Sequence, residues 1–207
     1  MSPEIVAVFF LAACLLALTP GPDNLFVLSQ SLAYGARAGL MVTLGLCTGL
    51  LGHTTLVAVG LAALIAASPL GLSVIKAIGA LYLLYLGWQS WFASAEEQSV
   101  DRVSASSDGR LYRRGIVMNL TNPKVSLFFV AFLPQFVDAA GTRAEIQMVL
   151  LGGLFILSTL LVFGAIALLS GFFHARMIAA SGSRKRFMNR LVSVVFVALA
   201  VNLWWLD

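Results

Sequence analysis

Two ionisable residues stand in apolar surroundings, each directly behind a proline. Asp23 lies in Thr19-Pro20-Gly21-Pro22-Asp23-Asn24, and Lys124 in Asn119-Leu120-Thr121-Asn122-Pro123-Lys124. Proline has no N–H and clashes with the preceding turn, so it ends a helix, yet its fixed φ suits the first position of the next one. Each motif therefore predicts a half-helix starting at Pro22 or Pro123, with Gly21 supplying backbone freedom and Asn122 a cap. A new helix N-terminus offers unpaired N–H groups and partial positive charge. An acid such as Asp23 suits that position. A cation such as Lys124 does not, and it needs a nearby anion: either Asp23 or the carboxylate of a solute. An acid and a base so placed form a structural ion pair, or they hold a zwitterion. In the second case the solute's carboxylate sits on Lys124 and the half-helix N–H groups, and its ammonium sits on Asp23. Asp23 can also take a proton, so proton and ammonium would compete for one carboxylate, which is the simplest basis for antiport.

The elements that must position these residues are membrane helices. The chain has 207 residues, of which 60% are hydrophobic and 11% charged, against roughly 45–50% and about 25% in a soluble domain. Its mean hydropathy is +0.95. A soluble enzyme, a nucleic-acid module and a disordered chain are all excluded. The net charge of +4 is no nucleic-acid signal, because the basic residues occupy short connectors between apolar runs. Measured against the ~20 residues a spanning helix needs, six runs emerge: 4–34 and 113–137, both interrupted, with 39–67, 71–93, 145–171 and 190–206. Backbone in lipid must satisfy its own hydrogen bonds, so each run is predicted to be a helix. Trp204-Trp205 suits an interfacial anchor. Cys14 and Cys47 lie inside apolar runs without metal or disulfide spacing. Leu11-Ala12-Ala13-Cys14 resembles a lipoprotein box, but Glu4 replaces the basic n-region, so the segment is expected to stay as a helix.

With six spans, one side collects Arg37, Arg102, Arg110, Arg113, Arg114, Arg176, Arg184, Lys185, Arg186 and Arg190, and the other only Lys76 and Arg143. The bias places linker 94–112 and loop 172–189 in the cytoplasm and both termini outside.

Setting Pro22 on Pro123, 101 positions apart, also sets Gly52 on Gly153. The expected fold is an all-α polytopic membrane protein, one membrane domain over 1–207. Its six transmembrane helices form two inverted three-helix repeats (about 1–93 and 113–207), with helices 1 and 4 broken at the proline motifs. An odd number of spans per half turns the second half upside down, and matched broken helices mark a transporter's central site. Asn24, Asn122, Pro22 and Pro123 join Asp23 and Lys124 as expected substrate-binding positions. Gln30 and Asn119 are further candidates to line the cavity. His53 lies midway along the second span; histidine is the residue type suited to relaying protons at neutral pH, so it is a candidate for proton coupling beside Asp23, or a neutral histidine bonded to a neighbouring helix. The Gly45-x-x-x-Gly49 spacing allows close helix approach, inside the protomer or in a homodimer. Tyr82, Tyr85 and Trp88 suit packing and the membrane interface.

At these residues the chain resembles the LysE/RhtB family of bacterial amino-acid exporters. The matching stretches are Thr19 to Leu25, Gly35-Ala36-Arg37-Ala38-Gly39, Gly79 to Gly87, and Gly115 to Phe136 around the Asn-Pro-Lys break. They touch four of the six spans; the last two match in hydropathy and length alone. The resemblance implies efflux of amino acids across the bacterial cytoplasmic membrane, coupled to protons, without a cofactor or a metal. It supports Asp23, Asn24, Asn122 and Lys124 as central positions without assigning their roles. A neutral substrate such as threonine, homoserine or leucine is favoured, because no second acid stands clearly within a span. The competing readings are a cation exporter on the same scaffold, an intramembrane enzyme and a non-transporting assembly subunit. Lys124 would repel a cation, and G-x-S-x-G and H-E-x-x-H are absent.

Overall fold

A computed structural model describes residues 1–19, 21–67, 107–137 and 143–170, with single helical positions between 77 and 92 and between 190 and 201. Pro20, most of the predicted third and sixth spans, residues 94–106 and loop 172–189 lie outside the described residues. The elements are all helical: α1 (Pro3–Leu18), α2 (Pro22–Tyr34), α3 (Ala36–Ala67), α4 (Asp108–Thr121), α5 (Pro123–Leu127) and α6 (Ala144–Leu168). Among the described residues, α3 over Ala36–Gly60 and α6 are long and apolar enough to cross a bilayer. The α1/α2 pair, bent by 62°, and the pair Asp108–Thr121 and Pro123–Phe136, bent by 52°, each pass as one broken span.

Local chemistry sets these boundaries. Ser2 caps α1 by accepting from the Ile5 N–H at 3.4 Å, with Pro3 in the first turn. The chain leaves α1 at Thr19, whose hydroxyl turns back to the Leu15 carbonyl at 2.8 Å, and Pro22 opens α2. Gly35, at φ +84°, makes the corner into α3, a backbone region that favours glycine.

Two features of the second half differ from expectation. The fourth span starts at Asp108 rather than 113, so the end of the predicted linker is helical. Its first turns are amphipathic: Leu111 and Gly115 are buried, while Arg110, Arg113 and Arg114 are exposed. A run counted by apolar content misses such a start, although Ser107 and Asp108 give an ordinary helix-opening signal. Beyond α5 the helix widens into a π turn over Phe128–Phe132 and then tightens into a 3₁₀ turn over Leu133–Phe136. Pro134 accounts for this, because its ring would strike the carbonyl four residues back in a regular helix.

The unbroken helices pack across the two halves. α3 lies along α4, α6 lies along α1, and α3 touches α6. The α3–α4 contact is backbone on backbone: a Cβ on Gly45 would fall 2.1 Å from the Tyr112 carbonyl oxygen, and one on Gly115 2.4 Å from that of Val42. The glycine spacing on α3 thus serves a contact inside the chain. The Gly52–Gly153 match is not a matched contact. A Cβ on Gly52 would meet Leu120 at 3.1 Å, whereas Gly153 faces open space and Gly152 makes the close approach, to Thr54. At the far ends, the Arg190 guanidinium lies 5.1 Å over the Trp91 ring.

Two apolar clusters result. One gathers Phe9, Leu16, Val125, Phe128, Phe129 and Phe155. The other gathers Ala17, Phe26, Val27, Val42, Leu46 and Phe163. Outward positions such as Leu56, Val59 and Leu168 are apolar and about two-thirds exposed, as a lipid-facing surface requires.

Candidate functional site

The two breaks meet at the seam between these clusters. Asn122 is the joint. Its side-chain oxygen accepts from the Lys124 backbone N–H at 3.0 Å, capping α5. Its amide nitrogen donates to Asp23 Oδ2 at 2.9 Å. One residue therefore satisfies an orphan N–H of one half-helix and binds the carboxylate in the first turn of the other.

Lys124 faces the wrong end of its own helix dipole, and the first break resolves this. Its Nζ donates to the Thr19 carbonyl oxygen at 2.8 Å, and Thr19 caps the C-terminus of α1. That end carries unpaired carbonyls and partial negative charge. Asn24 works in the same way, its amide nitrogen donating to the Ala17 carbonyl. Lys124 of the second break and Asn24 of the first thus both supply partners for the orphan carbonyls at the end of α1.

Asp23 and Lys124 make no direct ion pair among the described residues; the exposed Arg37–Asp108 pair at 2.8 Å is the one found there. Instead, Asp23 and Lys124 line one cavity with Asn24, Asn119, Asn122 and Thr159. Leu16, Val125, Phe155 and Phe163 supply its apolar wall. The space open to water centres is about 20 Å³, enough for about one water and no more. Asp23 is 5% exposed, and its Oδ1 is buried without a hydrogen-bond partner, as is Asn119 Oδ1. Such orphan acceptors are costly in a dry interior and mark a place for a donor.

The sequence-predicted residues fall into two groups. Asp23, Asn24, Asn122 and Lys124 come together on the cavity, with Pro22 and Pro123 opening the half-helices beside it. His53 and Gln30 do not line it. His53 Nε2 lies 3.2 Å from the Asn119 carbonyl oxygen, and since a carbonyl only accepts, that nitrogen carries the hydrogen. The histidine ring also packs on Phe129, with ring centroids 5.6 Å apart. Gln30 is buried on α2 and its Oε1 is also unpartnered.

Sequence reasoning missed the contribution of α6. Phe155, Thr159 and Phe163 recur every fourth residue, so they share one helix face, and all three line the cavity. The available signal was the polar pair Ser158-Thr159 inside an otherwise apolar run.

The chain is 30% identical over 196 residues to a leucine efflux protein of Enterobacter sp. (strain 638), covering 94% of this chain and 92% of that one. It is 29% identical over 201 residues to a leucine efflux protein of Salmonella typhimurium, with the same coverage. An uncharacterized membrane protein of Vibrio cholerae is 38% identical over 138 residues, 67% of each chain. No solved structure matches. The LysE type translocator family matches over residues 14–206, and the chain, with its two joined helix breaks, belongs to that family.

Proposed function

We propose that this protein exports a neutral amino acid, leucine foremost, across the cytoplasmic membrane in exchange for protons. The observation that carries the reading is that Asp23 and Lys124 line one cavity without a direct ion pair between them. A charge at this depth costs at least ~2.5–3.5 kcal/mol without a partner, and a zwitterion offers both charges a partner at once. The substrate's ammonium binds Asp23, and its carboxylate binds Lys124. A proton on Asp23 displaces the ammonium, which couples the two fluxes. The apolar wall of Leu16, Val125, Phe155 and Phe163 suits an aliphatic side chain, and the leucine efflux relatives favour the same choice. Lys124 opposes a cation as cargo.

A cavity of this size describes a closed form. Substrate entry therefore requires the breaks to part, with rupture of the Asn122–Asp23 and Lys124–Thr19 bonds. The cross-packing of α3 on α4 and of α6 on α1 supports a pseudo-twofold arrangement of two inverted three-helix repeats, rocking about this central site. His53 is bonded to a main-chain carbonyl and lies outside the cavity lining, so we assign the transported proton to Asp23 ahead of His53.

Counterflow of radiolabelled amino acids in proteoliposomes tests the reading. Leucine exchange is expected to exceed lysine or arginine exchange, and preferential exchange of the basic amino acids would overturn the substrate assignment. D23N is expected to abolish efflux driven by a proton gradient; intact gradient-driven efflux in that variant would overturn the coupling.

A further inference from the structure

Counting donors and acceptors around the cavity leaves one group unexplained. The Lys124 ammonium has three hydrogens and gives one to Thr19, so two remain for a ligand. Asn122 spends its side chain on Asp23 and on the α5 cap, and Asn24 donates to Ala17. The two orphan acceptors, Asp23 Oδ1 and Asn119 Oδ1, suit an ammonium group. A carboxylate has about four acceptor sites, more than Lys124 fills by itself.

Thr159 offers a further unused donor. It lines the same cavity and is 3% exposed. Thr43, Thr48, Thr54, Thr55 and Thr121 each turn their hydroxyl back to the carbonyl four residues earlier, the usual way a helix absorbs a threonine. Thr159 does not: among the described residues its hydroxyl finds no partner, while its neighbour Ser158 takes the Phe155 carbonyl at 2.8 Å. A cavity-lining hydroxyl that makes no bond within the protein is left available to a ligand. Phe155 and Phe163, one turn on either side, belong to the two different apolar clusters, so Thr159 is the polar point where they part.

We propose that Thr159 is a substrate-binding residue whose hydroxyl donates to the carboxylate of the amino acid alongside Lys124. This rests on the transport reading above and extends it to a third element, α6.

The test is leucine counterflow by wild type, T159V and T159S. A hydrogen bond to a charged group is worth about 1.5–3 kcal/mol, or roughly 10- to 150-fold. T159V is therefore expected to raise the half-saturating leucine concentration about tenfold or more, with T159S restoring most of it. Inhibition by isoamylamine, which keeps the ammonium and lacks the carboxylate, is expected to be unchanged in T159V. Wild-type leucine kinetics in T159V, or equal weakening of leucine and isoamylamine, would overturn the assignment while leaving the transport reading intact. A wild-type protein that exchanges no amino acid overturns both. If T159V does not reconstitute, alkylation of T159C gives the answer: leucine is expected to slow it, and a rate indifferent to leucine would overturn the proposal.

Discussion

Asn122 holds the site together by doing two jobs with one amide. Removing it in N122A deletes the α5 cap, worth about 1 kcal/mol, and leaves Asp23 with neither oxygen partnered, worth about 1–3 kcal/mol more. A loss of roughly 2–4 kcal/mol is expected in denaturant titration of the detergent-solubilised protein, with leucine counterflow lost as well. His53 makes a contrasting case. Glutamine can also donate to the Asn119 carbonyl, so H53Q is expected to keep gradient-driven leucine efflux, measured by pH-jump in proteoliposomes. Collapse of the pH dependence with counterflow intact would move a transported proton onto His53. At this scale the sequence was informative because Pro22-Asp23 and Asn122-Pro123-Lys124 break a strong local rule: charge and proline do not belong in an apolar run without a reason. The partners were not legible, because Thr19 and Ala17 act through main-chain carbonyls, which no residue type advertises.

Helices bring those residues into register by close backbone approach. Gly115 and Gly45 form the tightest backbone-on-backbone approach, and a Cβ on Gly115 would fall 2.4 Å from the Val42 carbonyl oxygen and 3.0 Å from the Gly45 Cα. Neither neighbour is the end of a flexible side chain, so G115A is expected to cost about 1–3 kcal/mol and to lower the thermal midpoint. Gly153 is the control. It is exposed with nothing near it, so G153A is expected to be neutral or stabilising by up to about 1 kcal/mol in the same assay. Apolar runs and glycine spacing predicted that α3 would pack closely, but not onto which helix. The start of α4 was hidden by its polar first turns. The role of α6 was hidden because its apolar content is nearly uniform: Ser158-Thr159 marks the place, but packing is needed to show that the face with Phe155, Thr159 and Phe163 meets the cavity.

Over the whole molecule, burial rather than surface charge sets stability. Arg37 and Asp108 tie the α2–α3 corner to the start of α4, with their side chains 81% and 46% exposed. Exposed pairs are worth about 0.2–1 kcal/mol, so D108N is expected to shift stability by no more than that and to leave counterflow unchanged. The apolar runs were legible from hydropathy, but not which face of each meets lipid, since a membrane helix is apolar on both sides. The joining of the breaks rests on long-range contacts, such as the one between Asp23 and Asn122, for which the sequence offered only matched spacing.

The central claim is that the two ends of one zwitterion are read by Asp23 and Lys124. Equilibrium binding of radiolabelled leucine to purified wild type, D23N and K124Q tests it most directly. The account predicts that each single substitution weakens leucine binding by about a hundredfold or more, as loss of a charge-assisted contact in a dry site requires. Leucine affinity within twofold of wild type in either variant would contradict it.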